Sequence, residues 1–353
     1  MWLQLAITGL CFALLPAAII FFSKESNKQR KLVQVTLVLT FELIMFGAFT
    51  RLTDSGLGCP DWPGCFGKAN PWQSHAEIKA AEIAMPTGPV TVQKAWIEMV
   101  HRYLAMAVGI LIVIQAAWAW TKHSRRAHSP FWPSLLLFAV CLQGAFGAWT
   151  VTLKLQPIIV TGHLLLGLIL LALLSFERDQ FIDWQGQAGL RSLRWPARIG
   201  LLILFMQIAL GGWVSTNYAP LACQGFPLCN GEVMPEMDWQ HGFYLWRRLG
   251  ETATGEYLPF TALVAVHWLH RSFAYLVVLY FAWLIWRLWQ FSEMRSLARY
   301  LACGLIAQVS LGIATVLFSW PLLLAVLHNG GAALLVLVMS MVNYRLAAIK
   351  PSA

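Results

Sequence analysis

The chain has 353 residues, of which 58% are hydrophobic and 12% charged, with 18 Trp. Soluble domains run about 45–50% apolar and about 25% charged, so this composition excludes an ordinary soluble protein and indicates a polytopic membrane protein. The formal charge of +9 invites a nucleic-acid partner, but the basic residues collect in short loops between apolar runs, so no nucleic acid is expected.

In chain order, nine apolar runs are long enough to span, given that a crossing takes roughly 17–25 residues. They are about 1–22, 33–50, 95–120, 131–152, 157–176, 197–215, 259–286, 299–318 and 321–344. No basic region precedes the first run and the cluster SKESNKQRK follows it, a charge order that favours an N-out anchor over a cleaved leader. Short linkers carry the cations, among them Lys24, Lys31, Lys122, Arg125, Arg126, Arg178, Arg287 and Lys350. The long loops, about 51–94 and 216–258, carry most of the acids, including Asp54, Asp61, Glu77, Glu232 and Asp238. By the positive-inside rule the basic linkers are cytoplasmic, so the chain starts outside, crosses nine times and ends inside.

The chain repeats itself. Cys59, Cys65 and Gly47 recur as Cys223, Cys229 and Gly211, 164 positions on; Gln143, Gly147, Thr150 and His163 recur as Gln308, Gly312, Thr315 and His328, 165 positions on. His101 recurs as His270 after 169. The expected fold is therefore all-α: two parallel four-helix-bundle repeats related by an axis along the membrane normal, plus one N-terminal helix outside the repeat. The boundaries fall at 1–32 for that helix and its loop, 33–176 and 197–353 for the repeats, and 177–196 for a cytoplasmic linker.

His101, His163, His270 and His328 all lie one to two turns from the outer ends of their predicted spans, so within each half two helices can bring imidazoles face to face. A lone histidine in a span is most often a hydrogen-bonded core residue; four, duplicated as pairs at one depth, fit that poorly. No Cys, Asp or Glu set accompanies them to complete a closed metal site. Paired imidazoles between apolar helices suit the two axial positions of a haem, whose macrocycle supplies the other four nitrogens. The halves differ at one place: EMVHR, with Glu98 one turn before His101, against HWLHR, with His267 before His270. A carboxylate at membrane depth costs roughly 2.5 to 3.5 kcal/mol on the gentlest scales, and so points to function. A symmetric electron carrier has no need of it on one side; an enzyme with one substrate porphyrin and one cofactor porphyrin does.

RLTDSGLGCPDWPGCFG, EMVHRYLA, TGHLLLGL, CQGFPLC, VHWLHR and VLHNGG together resemble the haem A synthase family of the proteobacterial and mitochondrial type, over about 33–344. The resemblance implies oxidation of a methyl group of haem O to the formyl of haem A for cytochrome oxidase. It implies that His101 and His163 flank the substrate haem, that Glu98 is catalytic, and that His270 and His328 ligate the iron of a resident haem b. It further implies a bacterial inner-membrane location, an electron acceptor, and a haem O synthase as partner, while the charge distribution puts the N-terminus on the periplasmic side and the C-terminus in the cytoplasm. Most members have eight spans, so the first helix is a departure.

Cys59 with Cys65, and Cys223 with Cys229, bracket five-residue Pro-containing spacers in outward loops, where disulfides persist. A structural bridge is one reading; a reducible bond over the active site, which the resemblance supports for the first pair, is the other. Cys11, Cys141 and Cys303 read as small core residues within spans. Arg51, Arg102 and Arg271 read equally as partners of haem propionates or as residues that snorkel or pair with acids. Glu42 reads as a proton relay or as a hydrogen-bonded tie between helices. His75, His123, His128 and His241 read as solvated, and Trp62, Trp72 and Trp239 as an interfacial belt. The rival functions are a di-haem electron carrier, which the Glu98/His267 difference opposes, and a solute transporter, which requires helix breaks near the midplane.

Overall fold

In the computed structural model of the chain, residues 1–121 and 130–349 are described. Lys122, His123, Arg125, Arg126, His128 and Lys350 lie outside them. Among the described residues, nine helices are long and apolar enough to cross a membrane. They are α1 (Trp2–Phe21), α2 (Lys28–Leu52), α4 (Val92–Thr121), α5 (Phe131–Thr152), α6 (Pro157–Asp179), α7 (Arg194–Thr216), α9 (Phe260–Trp289), α10 (Arg295–Leu317) and α11 (Leu322–Ala348). Two short helices, α3 (His75–Ala84) and α8 (Trp239–Gly242), sit in the long loops. The chain is thus an all-α polytopic membrane protein. None of the spans is broken near its middle, which removes the feature a transporter reading required.

The duplication is visible in the backbone. α2, α4, α5 and α6 recur as α7, α9, α10 and α11, with α4 and α9 both 30 residues long. Outside the glycines, left-handed φ values recur at equivalent points: Asp54 and Tyr218, Phe66 and Asn230, Lys154–Leu155 and Ser319–Trp320. At the ends of α5 and α10, the amide of Leu155 donates to the carbonyl of Thr150 at 2.8 Å and that of Trp320 to Thr315 at 2.7 Å. The threonine hydroxyls donate in turn to Gly147 and Gly312, both at 2.7 Å. Prolines at the start of α6 and just before α11 then begin the return helices, where a missing amide proton costs nothing.

The chain forms two compact units, Met1–Leu155 with Ile169–Phe181, and Gln156–Leu168 with Ile182 onward. The first part of α6, up to Leu168, groups with the C-terminal helices. The local cause is steric: Leu164 and Thr161 seat against Gly212 of α7, where a methyl would come within 3.0 Å of Leu164, and the hydroxyls of Thr161 and Thr216 lie 3.2 Å apart.

Within the first unit, α2 and α4 are joined by a buried hydrogen bond from Gln115 to Thr36 at 2.7 Å. α1 packs on α2 and α4. Its Leu5 enters the cluster formed by Cys59, Cys65, Met99 and Tyr103, and Phe12 stacks near Tyr103 with centroids 5.3 Å apart. The helix outside the repeat thus covers the loop that the first cysteine pair closes. Within the second unit, Asn343 of α11 donates to Ala197 of α7 at 3.1 Å, and Trp213 donates to Gly242 of α8 at 2.9 Å.

Candidate functional site

Glu98 stands on α4, 4% exposed, in the first unit. One carboxylate oxygen accepts from the backbone amide of Cys59 at 2.7 Å. The other accepts from Arg102, one turn further along the same helix face. Arg102 continues past the carboxylate: its second terminal nitrogen donates to the carbonyls of Asp61 at 2.9 Å, Pro63 at 3.2 Å and Gly64 at 2.6 Å. A buried charge survives when it is paired and its remaining hydrogen-bonding positions are filled, and both conditions hold here. Cys59 and Cys65 are disulfide-bonded with Cα atoms 4.9 Å apart, so the loop gripped by Arg102 is itself closed.

Three of the four histidines lie across a glycine of a neighbouring helix. A methyl group on Gly47 of α2 would come within 3.0 Å of Nε2 of His101; on Gly211 of α7, within 2.9 Å of Cε1 of His270; on Gly312 of α10, within 3.0 Å of Cε1 of His328. Each imidazole therefore needs a residue without a side chain beside it. Phe46 stacks on His101 with centroids 6.3 Å apart. In the second unit, Nε2 of Gln207 lies 3.2 Å from Nδ1 of His270 and donates to its carbonyl at 3.1 Å, fixing the ring and leaving its Nε2 without a hydrogen-bond partner among the described residues. Gln308 lies 3.4 Å from Nε2 of His328, whose buried Nδ1 has no partner among the described residues. His270 and His328 share one unit. Two half-buried imidazoles with uncommitted ring nitrogens, set among glycines and apolar helices, fit the axial positions of a haem.

His101 belongs to the first unit and His163, on the first part of α6, to the second. Counted from the helix starts, His163 and His328 lie roughly 9 Å along their helices, and His101 and His270 roughly 14 to 15 Å, because α4 and α9 begin well before the histidines.

At the position of Glu98 the second half has His267, buried at 3% exposure, its Nδ1 without a hydrogen-bond partner among the described residues. Arg271 repeats the grip of Arg102, donating to Gly225 at 2.7 Å, Pro227 at 3.5 Å and Leu228 at 3.3 Å, and also to Cys223. Cys223 and Cys229 are bonded with Cα atoms 4.8 Å apart. Arg51 pairs with Asp54 at 3.2 Å.

Other residues differ from expectation. Cys11, Cys141 and Cys303 are free and exposed rather than core, because lipid is as apolar as a protein interior and a thiol suits either. Glu42 is exposed on α2 and makes no side-chain hydrogen bond among the described residues, so it ties no helices together. His241 is half-buried against Asp238, its Nδ1 2.6 Å from the carboxylate. The amide of His241, and then its ring, hold the Asp238 carboxyl below its usual range. Gln207 and Gln308 went unremarked as histidine partners, although the 165-position repeat of Gln143 and Gln308 was a usable signal.

Residues 30–340 match the model of a family described as cytochrome oxidase assembly protein. A haem A synthase of Shewanella oneidensis is 39% identical over 320 residues, covering 89% of this chain and 95% of that protein. Those of Erythrobacter litoralis and Shouchella clausii are 30% and 28% identical, over 85% of this chain and 91% and 90% of theirs. With a family match across nearly the whole chain and a Glu98 site that only one of its two halves possesses, the chain belongs to this cytochrome oxidase assembly protein family.

Proposed function

We propose that the protein is a haem A synthase, which takes haem O from the membrane and oxidises one porphyrin methyl in two successive steps to the formyl of haem A. The observation that carries this reading is the asymmetry: both halves share the histidine–glycine seats and the arginine-gripped disulfide loop, and only the first adds a buried carboxylate. A carrier with two equivalent haems gives that carboxylate no task, and the named relatives are synthases.

In this reading His101 and His163 position the substrate haem O, and His270 and His328 hold the iron of a resident haem b. A bound haem b supplies reversible one-electron transfer. Glu98 accepts a proton, or stabilises positive charge, as the methyl carbon is oxidised. The fixed imidazoles and the apolar helices orient the porphyrin and keep competing chemistry out. An electron acceptor would take up the electrons released by the oxidation, and a haem O synthase would supply the substrate. The protein sits in a bacterial inner membrane with its N-terminus periplasmic and its C-terminus cytoplasmic.

The test is Glu98→Gln, which keeps volume and hydrogen-bonding reach and removes the ionisable group. Haem O should still bind while haem A formation falls about 10²–10⁴-fold, the usual contribution of a positioned acid–base group. Haem A production at the unmodified rate would remove Glu98 from the mechanism.

A further inference from the structure

Arg102 bridges Glu98 and the loop closed by Cys59 and Cys65. Its guanidinium makes four contacts: one to Glu98 and three to carbonyls of the loop closed by Cys59 and Cys65. Arg271 supplies an internal control. The carbonyls it grips, of Gly225, Pro227 and Leu228, stand 164 positions after those of Asp61, Pro63 and Gly64, so both arginines hold the same three points of the same loop. Gripping the loop is therefore the shared task. Contact with a carboxylate is what Arg102 adds, since the second half has His267 in that place.

The loop returns the contact. The amide of Cys59 reaches Glu98 at 2.7 Å, so carboxylate, guanidinium and loop close a ring of hydrogen bonds across about 40 residues of sequence. Lysine cannot close this ring, because a single ammonium lacks the planar fork that reaches a carboxylate on one side and carbonyls on the other.

We propose that Arg102 is the positioning residue for Glu98, fixing its carboxylate to the Cys59–Cys65 loop, and is not a partner of a haem propionate. The inference rests on the reading of Glu98 as the group that acts on haem O, and its test separates the two. Arg102→Gln and Arg102→Lys are compared with Glu98→Gln and with the double variant Glu98→Gln/Arg102→Gln, measuring haem O content and the rate of haem A formation separately. An arginine that acts through Glu98 leaves haem O content within about twofold and lowers the rate about 10²-fold, the scale on which small misplacements act. Lysine should restore little of the lost rate. The double variant should be no slower than Glu98→Gln alone, because the two losses share one cause and do not add.

A propionate anchor gives the opposite pattern, with haem O content falling in Arg102→Gln, recovering with lysine, and the two losses adding in the double variant. That pattern would overturn the proposal. An Arg102→Gln protein with undiminished rate would overturn it as well. If Glu98→Gln alone proves harmless while Arg102→Gln is slow, the fault lies with the role given to Glu98 and the positioning claim falls with it. Should Arg102→Gln fail to accumulate, the same comparison is made with Arg102→Lys, which retains the charge.

Discussion

At the scale of single residues, the second-half histidines differ in what surrounds them more than in depth. His270 rests across Gly211 with Gln207 on its Nδ1, and His328 rests across Gly312 with Gln308 near its Nε2, whereas His267 is buried at 3% exposure. The first two are seated against a glycine and a glutamine of a neighbouring helix, and the third stands in the place of Glu98. Replacing His270 or His328 by Ala should therefore remove most of the resident low-spin haem b, since six-coordination needs both axial imidazoles. His267→Gln should leave the haem spectrum in place. Reduced-minus-oxidised spectra of the purified variants check both outcomes, and an unchanged spectrum in the two alanine variants would leave the ligand assignment unsupported. These positions were legible in the sequence because imidazoles at membrane depth are rare and the repeat offset doubled the signal. The grip of Arg102 and Arg271 was not, since its partners are backbone carbonyls, which leave no mark in side-chain identity.

Among the elements, glycine placement decides how closely helices can meet. A Cβ on Gly211 would sit 2.9 Å from the ring of His270, closer than such contacts are found, and the ring has no room to retreat from α7 without leaving Gln207. Overpacking of this kind costs about 1–3 kcal/mol, which is a five- to 150-fold loss if it falls on haem affinity. Gly211→Ala should thus reduce haem b content with the helices intact. Gly109 of α4 meets nothing within 4 Å, so Gly109→Ala should be neutral or stabilise by up to about 1 kcal/mol. Haem-to-protein ratio and thermal unfolding separate the two cases. The helices themselves were readable from apolar runs and Pro or basic punctuation. Which face each turns to lipid was not, because core and lipid select the same residues. Cys11, Cys141 and Cys303 show this: an apolar thiol reagent should label them in folded, detergent-solubilised protein, while Cys59, Cys65, Cys223 and Cys229 should label only after reduction. Free labelling of the loop cysteines without reductant would contradict the bridges.

At the scale of the whole molecule, orientation follows from charge rather than from packing. The linkers between α1 and α2 and between α6 and α7, with the helix ends that flank them, hold Lys24, Lys28, Lys31, Arg178, Arg191 and Arg194, while the segments after α2 and α7 hold Asp54, Asp61, Glu77, Glu232, Glu236 and Asp238. Short basic loops stay on the cytoplasmic side because moving their cations across is resisted, whereas acids contribute little to orientation. In the orientation we propose, α1 reverses the side on which the N-terminus lies but leaves each repeat entering from the cytoplasm. Leu5, near the start of α1, packs with Cys59 and Cys65, so the start of α1 and that loop lie on the same side. A reporter fused after Phe22 should therefore read cytoplasmic and one fused near Trp72 external. An external reading after Phe22, with Trp72 cytoplasmic, would turn the disulfide loops into the reducing compartment. It would also place Glu98 and all four histidines toward the inner leaflet, and the orientation given to every site would have to be inverted.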